Sequence, residues 1–209
     1  GSGDLLVGAE IAWSGGNDVG ADLIACVPLE TDETTGEPTT EAWANALALL
    51  ETEPIDGIIP MSDEATVHAQ VKEHISSLSG TTRRRERRGF FGHALGEEST
   101  AVQERVASLG THRAVQCSPG IIRAVNGEVK TLSAVYTACA VAGLWAGLEL
   151  GEPLTFKYIN ALGLEKVYDD LEIDDMLQAG VKVIEEVQAK GQRIVQQLTC
   201  HTADENALY

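Results

Sequence analysis

Residues 89–117 have the sequence GFFGHALGEESTAVQERVASLGTHRAVQC, and this stretch decides the fold class. It begins with the apolar run Gly89–Gly92 and ends with a second such run, Ala114–Cys117. Short apolar runs of this kind are typical of buried strands. Ser99–Leu109 lies between them and is predicted to form a helix. A strand, a helix and a second strand in succession predict parallel strands with helices packed on the sheet.

Strands and helices also alternate on the N-terminal side of this stretch. Gly57–Pro60 and the proline-ended run Leu23–Pro28 are predicted strands, with a predicted helix over residues 40–51 between them. Ser62 is the predicted N-cap of a further helix. The apolar residues of that helix recur at helical spacing on one face and are Val67, Val71, Ile75 and Leu78.

The C-terminal side begins with a hairpin and a long helix. Asn126-Gly127 is a hairpin turn between the predicted strands Ile121–Val125 and Glu128–Lys130. Ser133–Leu150 follows as a predicted helix of small residues, which allows a close approach to a sheet.

The chain then ends on a short helix and a pair of strands. Glu172–Ala179 is the predicted helix, and Gly180 occupies its C′ position. Val181–Val187 and Arg193–Thr199 are predicted strands joined by a turn, which indicates an antiparallel edge hairpin. The prediction is therefore an α/β fold with three layers, in which a mostly parallel sheet is flanked by helices.

Composition limits the classes of partner. The chain has 209 residues and a formal net charge of −17, from 32 acidic and 15 basic residues. Such a surface repels phosphate backbones and anionic lipids, so neither nucleic acid nor a membrane is an expected partner. The scarcity of lysine suggests a high-salt source, although an ordinary acidic protein fits equally well. Gly1-Ser2-Gly3 is typical of an expression-tag remnant, which leaves residues 4–209 as one expected domain.

A serine hydrolase is the first enzymatic alternative. Ser133 lies near a helix start, and His68 and His93 are available as bases. No GxSxG sequence surrounds Ser133, however, and a serine at this position is more typical of a helix cap. The glycine-rich segment Gly15–Gly20 lacks both the Walker lysine and the GxGxxG spacing, so it is interpreted as a turn and no cofactor is expected.

Metal and disulfide chemistry have little support in the sequence. The four cysteines contain no CxxC pair, which is typical of small buried residues in a reducing compartment; they are Cys26, Cys117, Cys139 and Cys200. An acidic cluster is interpreted as a helix N-terminus with a solvated face, with weak Ca²⁺ binding as the alternative; its members are Asp169, Asp170, Glu172, Asp174 and Asp175. No metal is expected.

An arginine run at residues 83–88 contrasts with the acidic background. It has no interleaved aromatic residues, which argues against nucleic acid. In an acidic protein that self-assembles, a basic loop can meet an acidic surface on a neighbouring copy, whereas a solvated loop is the simpler interpretation. The candidate interface residues are Arg83, Arg84, Arg85, Arg87 and Arg88.

Several segments together resemble the phage tail sheath protein family in their order and spacing. The N-terminal part of the resemblance comprises residues 43–51, Ile58-Ile59-Pro60 and Arg87–Gly92. The strongest part is Ala140–Leu144 followed by Pro153-Leu154-Thr155. The remaining segments are Glu172–Val181 and Arg193–Thr199.

In that family the corresponding segment has a subtilisin-like α/β fold without protease activity, and the resemblance implies the same here. Subtilases place their nucleophile six residues before the valine of a Val-Ala-Gly motif. Val141-Ala142-Gly143 match this motif, and the position six residues earlier is Val135, which cannot attack a carbonyl. Leu23–Pro28 likewise contains no Asp-Thr-Gly or Asp-Ser-Gly sequence. The resemblance thus implies the fold without the chemistry.

The resemblance implies a mechanical role in the virion tail of a phage or a phage-like injection machine, after synthesis in the host cytoplasm. Sheath subunits form rings stacked around a tail tube, and terminal arms add strands to neighbouring sheets. The lattice then shortens and drives the tube through a cell envelope, without a nucleotide or metal. Expected partners are other copies of the chain, the tail tube protein and baseplate proteins.

A C-terminal domain and arm are expected to follow Tyr209, so the isolated chain is expected to be monomeric. Two other function classes remain open at this stage. One is a subtilase-fold serine hydrolase that uses Ser133. The other is a non-catalytic adaptor or receptor-binding domain of a virus-like particle.

Overall fold

The computed structural model describes residues 7–12, 14, 25–32, 34, 38–149 and 151–201. Residues 7–12 are helical. The helices that follow are α1 Thr40–Leu50, α2 Ala65–Leu78, α3 Ser99–Leu109, α4 Ala134–Gly147 and α5 Asp170–Gln178. The strands are β1 Gly57–Ile58, β2 Arg88–Phe91, β3 Ala114–Ser118, β4 Ile121–Val125, β5 Glu128–Leu132, β6 Tyr158–Ile159, β7 Gly163–Leu164, β8 Lys182–Val187 and β9 Gly191–Ile194.

Six strands form one mixed sheet in the order β1-β2-β3-β8-β9-β6. The neighbours β1, β2, β3 and β8 are parallel, whereas β9 is antiparallel to both β8 and β6. A separate antiparallel sheet has the order β5-β4-β7. The fold is therefore α/β, and the parallel arrangement is confined to four neighbouring strands of the larger sheet. The closing hairpin β8–β9 is antiparallel as predicted, but β6 forms the sheet edge because Tyr158 and Ile159 pair with β9.

Helices cover both faces of the parallel part of this sheet. Adjacent residues of β2 point in opposite directions, as side chains of a strand do. Phe90 packs with α4 in one apolar cluster, and Phe91 packs with α2 and α3 in a second cluster. Each face therefore buries its own core.

Helix α4 is the central helix of the first cluster. Ten of its residues are buried, and most are small, as predicted from its alanine and glycine content. A methyl group on Gly143 would lie 1.9 Å from the carbonyl oxygen of Ala12, because the helical residues 7–12 pack directly on α4. The small side chains therefore serve close helix–helix packing as well as packing on the sheet.

Two local predictions differ from the structure. Residues 25–28 of the predicted strand Leu23–Pro28 are irregular, and Leu23 and Ile24 lie outside the described residues. Pro28 has no N–H for a ladder, and β1 pairs only with β2 among the described strands. Helix α2 begins after Glu64 and not after Ser62, whose hydroxyl accepts a bond from the Glu64 amide at 3.2 Å.

Candidate subunit interface and the serine–histidine alternative

The loop between α2 and β2 carries the arginine run. The amides of Arg83 and Arg84 donate to the Gly80 carbonyl at 3.1 and 2.9 Å, and the Arg85 amide donates to the Leu78 carbonyl at 3.1 Å. Arg84 has a φ of 54°, in the left-handed region. The loop therefore turns tightly after α2 and presents Arg83, Arg84 and Arg85 to solvent.

The exposed arginines have weak or partial pairing within the chain. Arg83 lies 3.4 Å from a carboxylate oxygen of Glu51, and both side chains are about half exposed, so this ion pair contributes little to stability. The Arg84 guanidinium donates to the Thr81 carbonyl, and that of Arg85 donates to the Glu51 carbonyl. Among the described residues, no carboxylate pairs with Arg84 or Arg85.

Arg87 does not share this exposure, since its side chain is only 1% accessible. Its guanidinium donates to the carbonyls of Leu50 and Glu53 at 2.7 and 2.8 Å, just where α1 ends. It also donates to Nε2 of His74 at 2.8 Å. A planar cation with five donors suits the unpaired carbonyls at a helix C-terminus. Arg87 is therefore a buried link between α1 and α2, which corrects its predicted place on a surface loop.

Arg88 is half-buried and also held by the fold. Its amide donates to the Asp56 carbonyl at 2.8 Å, and its guanidinium lies 5.7 Å from the centre of the Trp145 ring. A cation over an aromatic face is attracted by the ring. The five predicted interface arginines thus divide into an exposed group, Arg83–Arg85, and two structural residues.

The structure does not join Ser133 to either predicted base. Ser133 is the N-cap of α4, and its side chain makes no capping bond. Nε2 of His68 bonds the Ser62 carbonyl at 2.9 Å. Both ring nitrogens of His93 are also occupied, by Ala94 and Ser118. Among the described residues, the Ser133 hydroxyl therefore has no histidine partner.

His93 instead belongs to a buried hydrogen-bond chain that sequence patterns did not indicate. Nδ1 donates to the Ala94 carbonyl at 2.8 Å, so Nε2 of the neutral ring accepts from the Ser118 hydroxyl at 2.9 Å. Tyr168 in turn donates to Ser118 at 2.9 Å. Burial lowers the pKa of His93, which favours this neutral state. Ser118 has no accessible surface, so its hydroxyl is closed to a substrate, whereas His93 and Tyr168 line a neighbouring pocket.

The expected nucleophile position is equally closed. Val135 is buried in the first turn of α4. A methyl group on Gly92 would lie 2.0 Å from the Val135 nitrogen, because the end of β2 packs directly on the N-terminus of α4. The Ala134 amide is bonded to the His93 carbonyl at 3.2 Å. Backbone contacts therefore surround the first turn of α4 at Val135.

The cysteines and the acidic cluster were the remaining candidates for metal or disulfide chemistry. All four cysteines are free; Cys26 is exposed and the other three are buried, with pKa values that burial raises to about 12. In the acidic cluster, Asp169 caps α5 and forms a reciprocal capping box with Glu172. No three potential metal ligands of the described residues come together. The glycine-rich segment Gly15–Gly20 lies outside the described residues.

A pocket of about 320 Å³ lies beside the His93 chain. Glu97, Glu98 and Glu165 line it together with Lys166 and Tyr168. The Glu165 carboxylate accepts bonds from the amides of Gly96 and Gly120, so it joins the segments that follow β2 and β3. The pocket is therefore an acidic rim at the carboxyl ends of the parallel strands.

Comparisons with known proteins identify the family. The sequence model for the phage tail sheath protein central domain matches residues 36–200. A tail sheath protein of Bacillus phage SP01 is 30% identical over 174 residues, which are 81% of this chain and 30% of that protein. A tail sheath protein of Staphylococcus phage Twort is 32% identical over 153 residues, which are 73% of this chain and 26% of that protein. The chain thus spans less than a third of these relatives.

Solved structures agree in fold. The sheath tail protein of Desulfitobacterium hafniense is similar with a TM-score of 0.63 and 20% identity, over 81% of this chain and 38% of that one. The helical sheath of the anti-feeding prophage in its contracted state has a TM-score of 0.60 and 14% identity, over 90% of this chain and 50% of that one. The chain belongs to the phage tail sheath protein family.

Proposed function

We propose that this chain is the core of a sheath subunit that packs with copies of itself around a tail tube and shortens to drive the tube through a cell envelope. The match of the central-domain family model to residues 36–200 carries this proposal. The work of contraction comes from the free-energy difference between two packings of similar subunits. The proposed partners are other copies, the tube protein and the baseplate, and the proposed location is the virion tail.

The exposed loop Arg83–Arg85 is the proposed contact to a neighbouring copy. Its support is the exposure of three arginines on a chain with a net charge of −17, together with the lack of a carboxylate partner for Arg84 and Arg85 among the described residues. On an acidic protein, most of the surface repels a second copy, whereas a cationic loop can attract it.

The proposed scaffold is a subtilisin-like domain without catalysis, covering residues 4–209. Its support is the parallel order β1-β2-β3-β8, the packing of α4 with its Val141-Ala142-Gly143 motif, and Val135 in the nucleophile position. A fluorophosphonate probe tests the alternative of a serine hydrolase. No labelling is expected, and labelling of Ser133 or Ser118 would support the enzyme instead.

Negative-stain microscopy tests the assembly. The chain is expressed together with the segments that flank it in its gene, and the chain alone serves as the control. Hollow tubes or rings are expected from the longer protein, and monomers from the control. Monomers from both proteins at low and at high salt would contradict the sheath role and favour an adaptor or receptor-binding domain.

A further inference from the structure

The two ends of the parallel part of the sheet differ in charge, because the exposed arginines lie at one end and a cluster of carboxylates lies at the other. Because β1, β2 and β3 are parallel, their amino ends lie at one edge and their carboxyl ends at the other. We define the basic end by the cations that begin β2 or precede β2 and β3. The acidic end is defined by the carboxylates that follow β1 and β2, together with those after β7 that lie against the ends of β2 and β3. The basic end comprises Arg83, Arg84, Arg85, Arg88 and Arg113, and the acidic end comprises Glu64, Glu98, Glu165, Asp169 and Asp170.

The acidic end is held together by contacts across the sheet edge. Glu165 accepts bonds from Gly96 and Gly120, and Tyr168 bonds Ser118, so the segment before α5 is fixed against the ends of β2 and β3. Asp169 and Asp170 follow this segment directly and are exposed. Their position at the carboxyl edge is therefore determined by the fold.

The carboxylates of the acidic end exceed its available cations. Arg105 pairs with Glu97, and Lys166 pairs with Glu172. No salt bridge of the described residues joins a cation to Glu98, Asp169 or Asp170. Acids at helix N-termini are stabilised locally by the helix dipole, which explains how the cluster is tolerated. The carboxylates of the acidic end therefore present exposed negative charge to a partner.

The basic end presents cations in a fixed position. Two hydrogen bonds to Gly80 and one to Leu78 hold the loop backbone, and Arg85 is tied to the end of α1. Carboxylates also lie at this end: Glu51 and Glu86 are each paired with an arginine of the same end, whereas Glu53 and Asp56 are exposed and belong to no salt bridge of the described residues. Arg84 and Arg85 therefore remain available to an acidic surface.

We infer that the basic end of one copy docks on the acidic end of the next copy. This inference rests on the proposed sheath function and names the surface that meets the loop Arg83–Arg85. The two surfaces lie at opposite ends of one chain, so the contact is head-to-tail. A head-to-tail contact produces rings or open helical stacks and cannot close a two-fold dimer. That geometry is the one a tubular wall requires.

Charge reversal at either end tests the inference in the flanked protein. The basic-end variant carries Arg84→Asp and Arg85→Glu, where aspartate tolerates the left-handed φ of position 84. The acidic-end variant carries Glu98→Lys and Asp170→Lys. Each variant alone is expected to need about tenfold more protein to form tubes, because the contact becomes like-charged. Lys130→Glu with Lys190→Glu reverses two exposed charges elsewhere and is expected to assemble as the wild type does.

A mixture of the two variants separates a lost contact from a misfolded protein. In the mixture, each contact of an alternating stack again joins opposite charges, so tubes are expected at the wild-type concentration. If the mixture forms no tubes, or if each variant alone assembles normally, the inference is overturned. Tubes from the wild type would in that case leave the proposed function intact. An absence of tubes from the wild type would overturn both.

Discussion

At the scale of single residues, the described part of the chain buries two cations outside any salt bridge. The two terminal nitrogens of Arg87 donate to carbonyls at the end of α1 and to His74, while its buried Nε has no partner among the described residues. Lys182 lies on β8 opposite Cys117 of β3 and is 1% exposed. Burial lowers the pKa of Lys182 to about 8, while the nearby Cys117 opposes this effect. The folded state therefore carries a cost for the charged lysine at neutral pH.

Lys182→Met is expected to raise the free energy of unfolding by about 2–3 kcal/mol at pH 7, since methionine fills a similar volume without a charge. The pKa of Lys182 is depressed in the folded state, so the wild type gains stability as the pH rises from 8 to 10.5. The difference between variant and wild type therefore shrinks over this range. Urea unfolding measures both effects, with the exposed Lys190→Met as the control. A less stable Lys182→Met at pH 7 would show that the amine is a needed polar contact.

Buried histidines make the fold acid-sensitive in a defined window. Burial is the main cause that lowers the pKa of His68, His74 and His93. The contribution of these neutral histidines to the free energy of unfolding is complete above the unfolded pKa of 6.5. It declines as the pH falls below that value, because the unfolded chain then binds protons first. Each histidine contributes a slope of up to about 1.4 kcal/mol per pH unit. Urea midpoints between pH 7.5 and 5 measure this slope, and constant midpoints would contradict it.

At the scale of elements, Arg87 joins the C-terminus of α1 to α2 and β2. Arg87→Ala leaves two partly buried carbonyls and the buried His74 without their donor, so the free energy of unfolding is expected to fall by about 3 kcal/mol. The exposed Arg84→Ala is the matched control and should lie within about 0.5 kcal/mol of the wild type. Urea unfolding measures the free energy of unfolding of both variants. Equal values would mean that water replaces the hydrogen bonds that Arg87 donates.

The contact between β2 and α4 depends on a glycine. Gly92→Ala would bring a methyl group to 2.0 Å from the Val135 nitrogen and 2.3 Å from the Ala134 carbonyl oxygen, and neither backbone atom can swing away. A loss of several kcal/mol, or no soluble folded protein, is expected, as for other severe overpacking. Gly80→Ala is the control, because its nearest neighbour is 3.6 Å away. Equal melting temperatures of the two variants in thermal unfolding would contradict this packing.

The sequence predicted the helices and strands better than the contacts between them. Helix α3 has its predicted bounds Ser99–Leu109, and the Asn126-Gly127 hairpin forms as expected because its signal is local. The run Leu23–Pro28 has the composition of a strand, yet residues 25–28 find no partner strand. The burial of Arg87 depends on where α1 ends in space, which no spacing of residues indicates. The bond between His93 and Ser118 likewise joins residues that lie 25 positions apart.

At the scale of the whole molecule, the chain is an acidic α/β unit that concentrates its exposed arginines at one end of the parallel part of the sheet. Screening at physiological salt limits repulsion between copies to about 8 Å, so nearby opposite charges can still attract. None of the described helices is long and apolar enough to cross a membrane.

Helical reconstruction of the tubes from the flanked protein is the most direct measurement of this role. The expected map is a hollow wall in which the described fold repeats, with Arg84 and Arg85 of one copy against Glu98 and Asp170 of the next. A map whose repeating wall has no density for this fold, or a protein that stays monomeric under all salt conditions, would contradict the sheath role.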